Sequence, residues 1–193
     1  MKHTIYIIDV TNRDGVQTSR LGLAKLEKTM LNLYLDAIGV FQSEFGFPTT
    51  RHETNYLNAN LELVEINAIN RIKLGGWMRA IRADVEEGFQ LVPGLKHVNL
   101  SISTSEQMIE CKFGGRYTRT DILNMMSEAV DTAVEHGAEK IGVCAEDASR
   151  TDIEWLIEFT ETAKRHGADR IRYCDTLGYD DPFTIYERVK TLA

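Results

Sequence analysis

Ala133-Val134-Glu135-His136-Gly137-Ala138-Glu139-Lys140-Ile141 is repeated 30 residues later as Ala163-Lys164-Arg165-His166-Gly167-Ala168-Asp169-Arg170-Ile171. Each copy reads as a helix end, a glycine stop and the start of a strand. A period near 30 residues is that of a βα unit. Such units in series imply a parallel sheet with right-handed crossovers.

Outward from the repeat, the same alternation runs through the chain. Strands are predicted at Ile5–Val10, Val40–Phe45, Ile69–Leu74, His97–Ile102, Lys140–Cys144 and Arg170–Cys174. The third is the least clear, with Trp77 to Ile81 flanking it. Helices are predicted at Leu21–Ile38, His52–Asn67, Ala83–Leu91, Thr120–Glu135, Asp152–Lys164 and Pro182–Leu192. In the first, Leu23, Leu26, Met30, Leu33 and Ala37 share one side, and Gly39 stops it. In the fourth, Ile122, Leu123, Met126, Ala129, Val130 and Ala133 form an apolar stripe.

About six βα units without a G-x-G-x-x-G fingerprint favour a (β/α)8 barrel over a dinucleotide-binding sheet. A closed barrel has eight units and about 250 residues. The expectation is therefore an α/β fold, an incomplete (β/α)8 TIM barrel with the last two units missing, as a single partial catalytic domain over 1–193. Strands one and six would then be open edges. A truncated chain and a chain completed by a partner both remain open.

The 193 residues are 43% hydrophobic with a formal charge of −7. That bounds one sizeable core. With no basic stripe, nucleic acid and acidic membranes are not expected partners. No apolar run reaches the roughly 18 residues of a membrane helix. The three cysteines, Cys111, Cys144 and Cys174, have neither zinc nor disulfide spacing. A reduced, cytoplasmic protein is the simplest reading.

In such barrels chemistry gathers at the carboxyl ends of the strands. Here those ends are polar. Strand one leads into Asp9-Val10-Thr11-Asn12-Arg13-Asp14-Gly15-Val16-Gln17, where an arginine can grip a carbonyl or carboxylate and an aspartate can hold a metal ion. A plain surface ion pair is the bland alternative for Arg13-Asp14. Strand two holds Gln42 and Glu44. Arg79 and Arg82 follow strand three. Strand four ends in Ser101, Ser103 and Thr104, strand five in Glu146, Asp147 and Ser149, and strand six in Asp175 and Thr176. Asp147 or Ser149 could cap the next helix, so Glu146 is the better catalytic candidate. His136 and His166 sit at helix carboxyl ends, where the dipole favours a cation. Cys144 and Cys174 read as core residues.

These residues together resemble a known family. Asp9-x-x-x-Arg13-Asp14-Gly15-x-Gln17 is similar to the signature of the metal-dependent acyl-CoA/2-oxoacid condensing enzymes on TIM barrels: isopropylmalate, citramalate, homocitrate and Re-type citrate synthases. Glu44-Phe45-Gly46-Phe47-Pro48 resembles that family's strand-two acid with Gly-Phe-Pro. His97 to Ser105, Glu146 to Asp152 and Asp175 to Tyr179 resemble its strand-four, strand-five and strand-six motifs. Asn12 stands where the family usually has leucine, and Val16 where it usually has glutamate or a similar residue.

The resemblance implies a Claisen-type condensation of acetyl-CoA with a 2-oxoacid. Within the family it points to homocitrate synthase for nitrogenase cofactor assembly, with 2-oxoglutarate as the oxoacid. Re-citrate synthase and isopropylmalate synthase are the alternatives. Related lyases and a non-catalytic half-barrel subunit also stay open. Arg13 would be the electrophilic partner and Glu146 the base or its helper. Gln17, Glu44, Arg79, Ser101 and Thr176 would contact or organise the substrate. Asp14 would ligate a divalent metal (Mg, Mn or Zn). The family's His-x-His pair on strand seven is absent from this sequence. The resemblance therefore implies a complementary C-terminal subunit carrying those histidines and the last strands.

Overall fold

The computed structural model describes residues 4–193, and among them it holds six strands and seven helices. In chain order they are β1 (Ile8–Asp9), α1 (Lys25–Ile38), β2 (Gln42–Gly46), α2 (Thr54–Glu65), β3 (Lys73–Arg79), α3 (Arg82–Leu91), β4 (His97–Ser103), α4 (Glu106–Cys111), α5 (Arg119–Glu135), β5 (Lys140–Glu146), α6 (Ile153–His166), β6 (Arg170–Tyr173) and α7 (Pro182–Leu192). Neighbouring strands follow chain order. Six βα units in that order make an incomplete (β/α)8 barrel, as expected. The described residues fall into two compact units. One comprises the chain up to Met78 with Glu86–Val98; the other comprises Arg79–Val85 with Asn99–Ala193.

In the first unit β1 and β2 run parallel, with Ile8 opposite Gln42 and Asp9 opposite Ser43. β2 pairs parallel with β3, and its register slips between Glu44 and Gly46. Phe45, Leu57, Ile69, Leu74 and Met78 fill the core.

The inner face of α1 is not the one expected. Leu26, Met30 and Leu33 are exposed, as is Ala37, whereas Lys28, Asn32, Leu35 and Asp36 are buried. The buried face is polar because its partners are polar. Asn32 Nδ2 donates to Tyr56 Oη and Asn60 Oδ1, both at 3.0 Å, and Ser43 Oγ donates to Asn32 Oδ1 at 3.1 Å. Burial pushes the Tyr56 hydroxyl up, which keeps it neutral in this network. Lys28 Nζ meets Glu53 Oε1 at 2.5 Å and lies 4.7 Å from the Tyr56 ring centroid. Satisfied hydrogen bonds offset the desolvation that would otherwise forbid such a face.

In the second unit the repeat acquires a structural reason. Gly137 and Gly167 are left-handed, with φ of 79° and 109°. In both copies the alanine after the glycine donates its N–H to the alanine five positions earlier at 3.0 Å, Ala138 to Ala133 and Ala168 to Ala163. A left-handed glycine ends the helix and turns the chain into the next strand. β5 and β6 then pair in parallel, Gly142 opposite Arg170 through Ala145 opposite Tyr173. A Cβ at Gly142 would lie 2.4 Å from Asn99 Oδ1, so the side-chain packing there requires glycine. Ile122, Met126, Ala129, Val130 and Ala133 of α5 are buried as expected, with Trp155, Leu156 and Phe159 of α6. Asp152 caps α6 by accepting the Trp155 N–H at 3.0 Å, and Asp181 caps α7. The short α4 was not anticipated from the sequence. Its cap is Ser105, which accepts the Met108 N–H.

Asp36 is the polar anchor of the first unit. It accepts N–H bonds from Asn70, Arg71 and Ile72 at 3.0, 2.7 and 2.8 Å on one oxygen. Burial alone would raise its carboxyl, but those three donors outweigh it and hold the group below the usual carboxylate range. Asp36→Ala is expected to lower unfolding stability by about 2–4 kcal/mol in urea at pH 7. The folded-state value lies below the unfolded one, so the stabilisation is present above about pH 4 and fades as pH falls through the folded value. The gap between parent and variant should therefore narrow on acidification; a gap that widens contradicts this assignment.

Candidate active site

Every sequence-predicted site residue lies at or just after the carboxyl end of a strand, except Glu44 and Ser101, which lie within β2 and β4. All but Arg79 fall in two clusters, one in each unit.

The first cluster is built on the turn after β1. The Val10 carbonyl accepts N–H bonds from Arg13, Asp14 and Gly15 at 3.1, 2.8 and 3.1 Å. Asp9 closes the turn by accepting both the N–H and the hydroxyl of Thr11 at 3.0 Å. Asn12 is fully buried. Its Nδ2 donates to Lys28 O and to Asn32 Oδ1, each at 2.9 Å. This explains the asparagine where the resemblance expects leucine: the pocket that receives it is the polar face of α1.

That tight turn delivers Arg13 to β2. Arg13 Nε and Nη2 donate to Glu44 Oε2 at 3.1 and 2.8 Å, and Nη1 donates to Asp14 Oδ1 at 2.8 Å. Its guanidinium carbon lies 4.8 Å from the Trp77 ring centroid. Side-chain exposure is 14% for Arg13, 0% for Glu44 and 57% for Asp14. Glu44 is therefore a buried counter-ion, and Asp14 is the accessible carboxylate. Gln17 is exposed just beyond. Trp77 escaped the sequence reading, since a tryptophan in an unclear strand reads first as packing.

The second cluster gathers around β5. Ser103 Oγ donates to Glu146 Oε2 at 2.6 Å, and Lys112 Nζ donates to the same oxygen at 2.6 Å and to Ser103 Oγ at 3.0 Å. Strand alternation puts Ser101 and Ser103 on one face of β4. Ser101 is half-buried, and its carbonyl accepts the Ala80 N–H. Asp147 is fully buried in a left-handed conformation, φ 62°. It does not cap the turn that follows. Instead it accepts the Ser105 hydroxyl at 2.5 Å and a bidentate contact from Arg150, Nε at 3.0 Å and Nη2 at 2.5 Å. Its own N–H donates to Thr176 Oγ1 at 2.9 Å. Thr176 thus fixes the loop by accepting the Asp147 N–H, and its hydroxyl donates in turn to the Cys174 carbonyl at 3.5 Å. Lys112 was invisible to the sequence reading because it follows α4, which that reading lacked. The cap signal, Ser105 followed by Glu106, is the trace that could have found it.

Arg79 stands apart. Its Nε and Nη2 grip Asp84 Oδ2 and Oδ1 at 2.6 and 2.7 Å, and the side chain is 60% exposed. Among the described residues there is no group of three or more His, Cys, Asp or Glu side chains able to hold a metal ion. No described helix is long and apolar enough to cross a membrane.

A family profile described as HMGL-like matches residues 4–193. A citrate (Re)-synthase of Dehalococcoides mccartyi is 64% identical over 98% of this chain and 46% of its own length. A protein named 2-isopropylmalate synthase 2 of Caldanaerobacter subterraneus is 42% identical over 97% of this chain and 47% of its own. Homocitrate synthase 1 of Nostoc is 33% identical over 98% and 48%. The chain thus spans about half the length of these relatives. The expectation of homocitrate synthase gives way here, since the citrate (Re)-synthase is far more similar. Among solved structures, HMG-CoA lyases of Brucella melitensis and Bacillus subtilis match with TM-scores of 0.75 and 0.73, each at 16% identity. They cover 99% and 97% of this chain, and 68% and 63% of their own. That likeness speaks for the fold.

The Arg13–Glu44 contact is expected to behave as a buried ion pair. Removing either partner alone should cost about 3 kcal/mol in urea unfolding, with a double-mutant coupling between Arg13→Ala and Glu44→Gln above about 1 kcal/mol. Simple additivity of the two changes would contradict the pairing.

Proposed function

The chain belongs to the HMGL-like family, and on that premise we propose that it supplies six barrel units of an enzyme condensing acetyl-CoA with oxaloacetate to citrate and CoA. The observation that carries the oxoacid is the 64% identity to the citrate (Re)-synthase. A cytoplasmic enzyme with no nucleic-acid partner fits this reading.

The reaction needs three things. A base removes a proton from the acetyl methyl. The resulting carbon nucleophile attacks the ketone carbon of the oxoacid, and the carbonyl electron pair moves onto oxygen. Water then cleaves the thioester and releases the CoA thiol. Glu146 is the base or its helper: its Oε2 is occupied by two donors, which leaves Oε1 for a proton. Arg13 supplies positive charge for the developing alkoxide. Glu44 holds the guanidinium by one edge, so Arg13 meets the substrate without reorganising. Gln17 and Thr176 hold the oxoacid with an amide and a hydroxyl. Ser101 contributes a hydroxyl from within β4. Arg79 binds a distal carboxylate only by sharing its grip on Asp84.

A divalent cation would polarise the oxoacid carbonyl in this chemistry. Asp14 has an accessible oxygen for it, but one carboxylate does not make a site, and the described residues offer no cluster that completes one. The proposal therefore looks outside these 193 residues for the His-x-His ligands of an Mg, Mn or Zn site and for the last barrel strands, with a complementary polypeptide as the source to be tested.

Thiol release from acetyl-CoA should be measured with oxaloacetate, 2-oxoglutarate and 3-methyl-2-oxobutanoate, on this chain alone and with the complementing polypeptide. The expected result is turnover only in the combined sample, with kcat/KM for oxaloacetate at least about tenfold above the others. Glu146→Gln in that assembly should lower kcat by about 10²–10⁴. Full turnover by the single chain contradicts the two-polypeptide reading. Preference for 2-oxoglutarate returns the assignment to homocitrate.

A further inference from the structure

Lys112 follows a helix of only six residues, α4, whose placement is locked from two sides. Ser105 caps it by accepting the Met108 N–H at 3.2 Å, and the same hydroxyl donates to the buried Asp147 at 2.5 Å. The residue after Glu146 thus fixes the start of the helix that brings Lys112 back to Glu146. The Glu146 main chain is held as well: its carbonyl accepts the Thr104 N–H at 3.0 Å and the Thr104 hydroxyl at 3.1 Å. Lys112 Nζ then touches both Glu146 Oε2 and Ser103 Oγ, closing a three-membered set of polar atoms.

An ion pair whose side chains are 46% and 27% exposed adds little to stability. What it does is geometric. Two donors on one oxygen fix the carboxylate's rotation and leave the other oxygen bare. We infer that Lys112 is a positioning residue for the condensation, holding the Glu146 carboxylate with Ser103 so that its free oxygen faces the proton it moves. This rests on the reading of Glu146 as base or helper.

The test is steady-state kinetics in the complete catalytic assembly, with Lys112→Met, Lys112→Arg, Glu146→Gln and the double variant Lys112→Met/Glu146→Gln. Lys112→Met keeps the apolar stem and removes the charge. It should lower kcat about tenfold or more, leave both KM values within about twofold, and leave the unfolding midpoint unchanged. Lys112→Arg should recover a large part of the rate. In the Glu146→Gln background Lys112→Met should have no further effect. A raised KM for acetyl-CoA at parental kcat would mean that Lys112 binds the thioester substrate, and overturns the inference. If Glu146→Gln is slow while Lys112→Met is unimpaired, the inference fails and the role of Glu146 stands. If Glu146→Gln itself turns over at the parental rate, both fail together.

Discussion

A carboxylate with no exposure has to find its partners inside the protein, and Glu44 is such a carboxylate, held by Arg13. Its position in β2 obliges the loop after β1 to deliver Arg13. The loop does so with a turn knotted on one carbonyl, that of Val10, and with Asn12 anchored under α1. Once Arg13 is fixed, Asp14 follows as its neighbour, accessible and oriented by Nη1. Trp77 covers the guanidinium from β3. Arg13 and its adjacent aspartate are thus placed by a demand that arises one strand away.

The second cluster uses the same logic with different chemistry. Asp147 is buried and left-handed, a conformation that is costly for most side chains but tolerated by aspartate. Arg150, Ser105 and Thr176 hold it there. Its neighbour Glu146 is thereby presented at the end of β5, only partly exposed and fixed by its carbonyl and by one of its two carboxylate oxygens. In both clusters a fully buried acid is paired with an arginine, and a neighbouring carboxylate stays at least partly accessible.

Much of this was legible in the sequence because the signals are local. The 30-residue repeat is a helix-stop glycine recurring in phase, and both glycines are indeed left-handed. The strand-end acids and hydroxyls lie where alternation and barrel topology put them. The face of α1 was misread because periodicity counts apolar residues, and here the buried stripe is Lys28, Asn32, Leu35 and Asp36. Partners beyond the helix itself, Ser43, Glu53, Tyr56, Asn60 and Ile72, make that stripe compatible with burial. Lys112 was missed for the same reason: its meaning comes from Glu146, not from its own neighbours. Asp147 looked like a cap by position, but its αL backbone turns the side chain to Ser105 and Arg150.

The central proposal is that these strand ends serve a carbon–carbon bond-forming step, with attack on the Re face of the ketone that the name of the Dehalococcoides mccartyi relative denotes. The direct measurement uses acetyl-CoA labelled with ¹³C in the acetyl group, condensed with oxaloacetate by the assembled enzyme. The citrate is then cleaved by a lyase that removes as acetate the arm added by Si-face attack. The account predicts that the label stays in the oxaloacetate fragment. Label in the acetate fragment, or no labelled citrate at all, would contradict it.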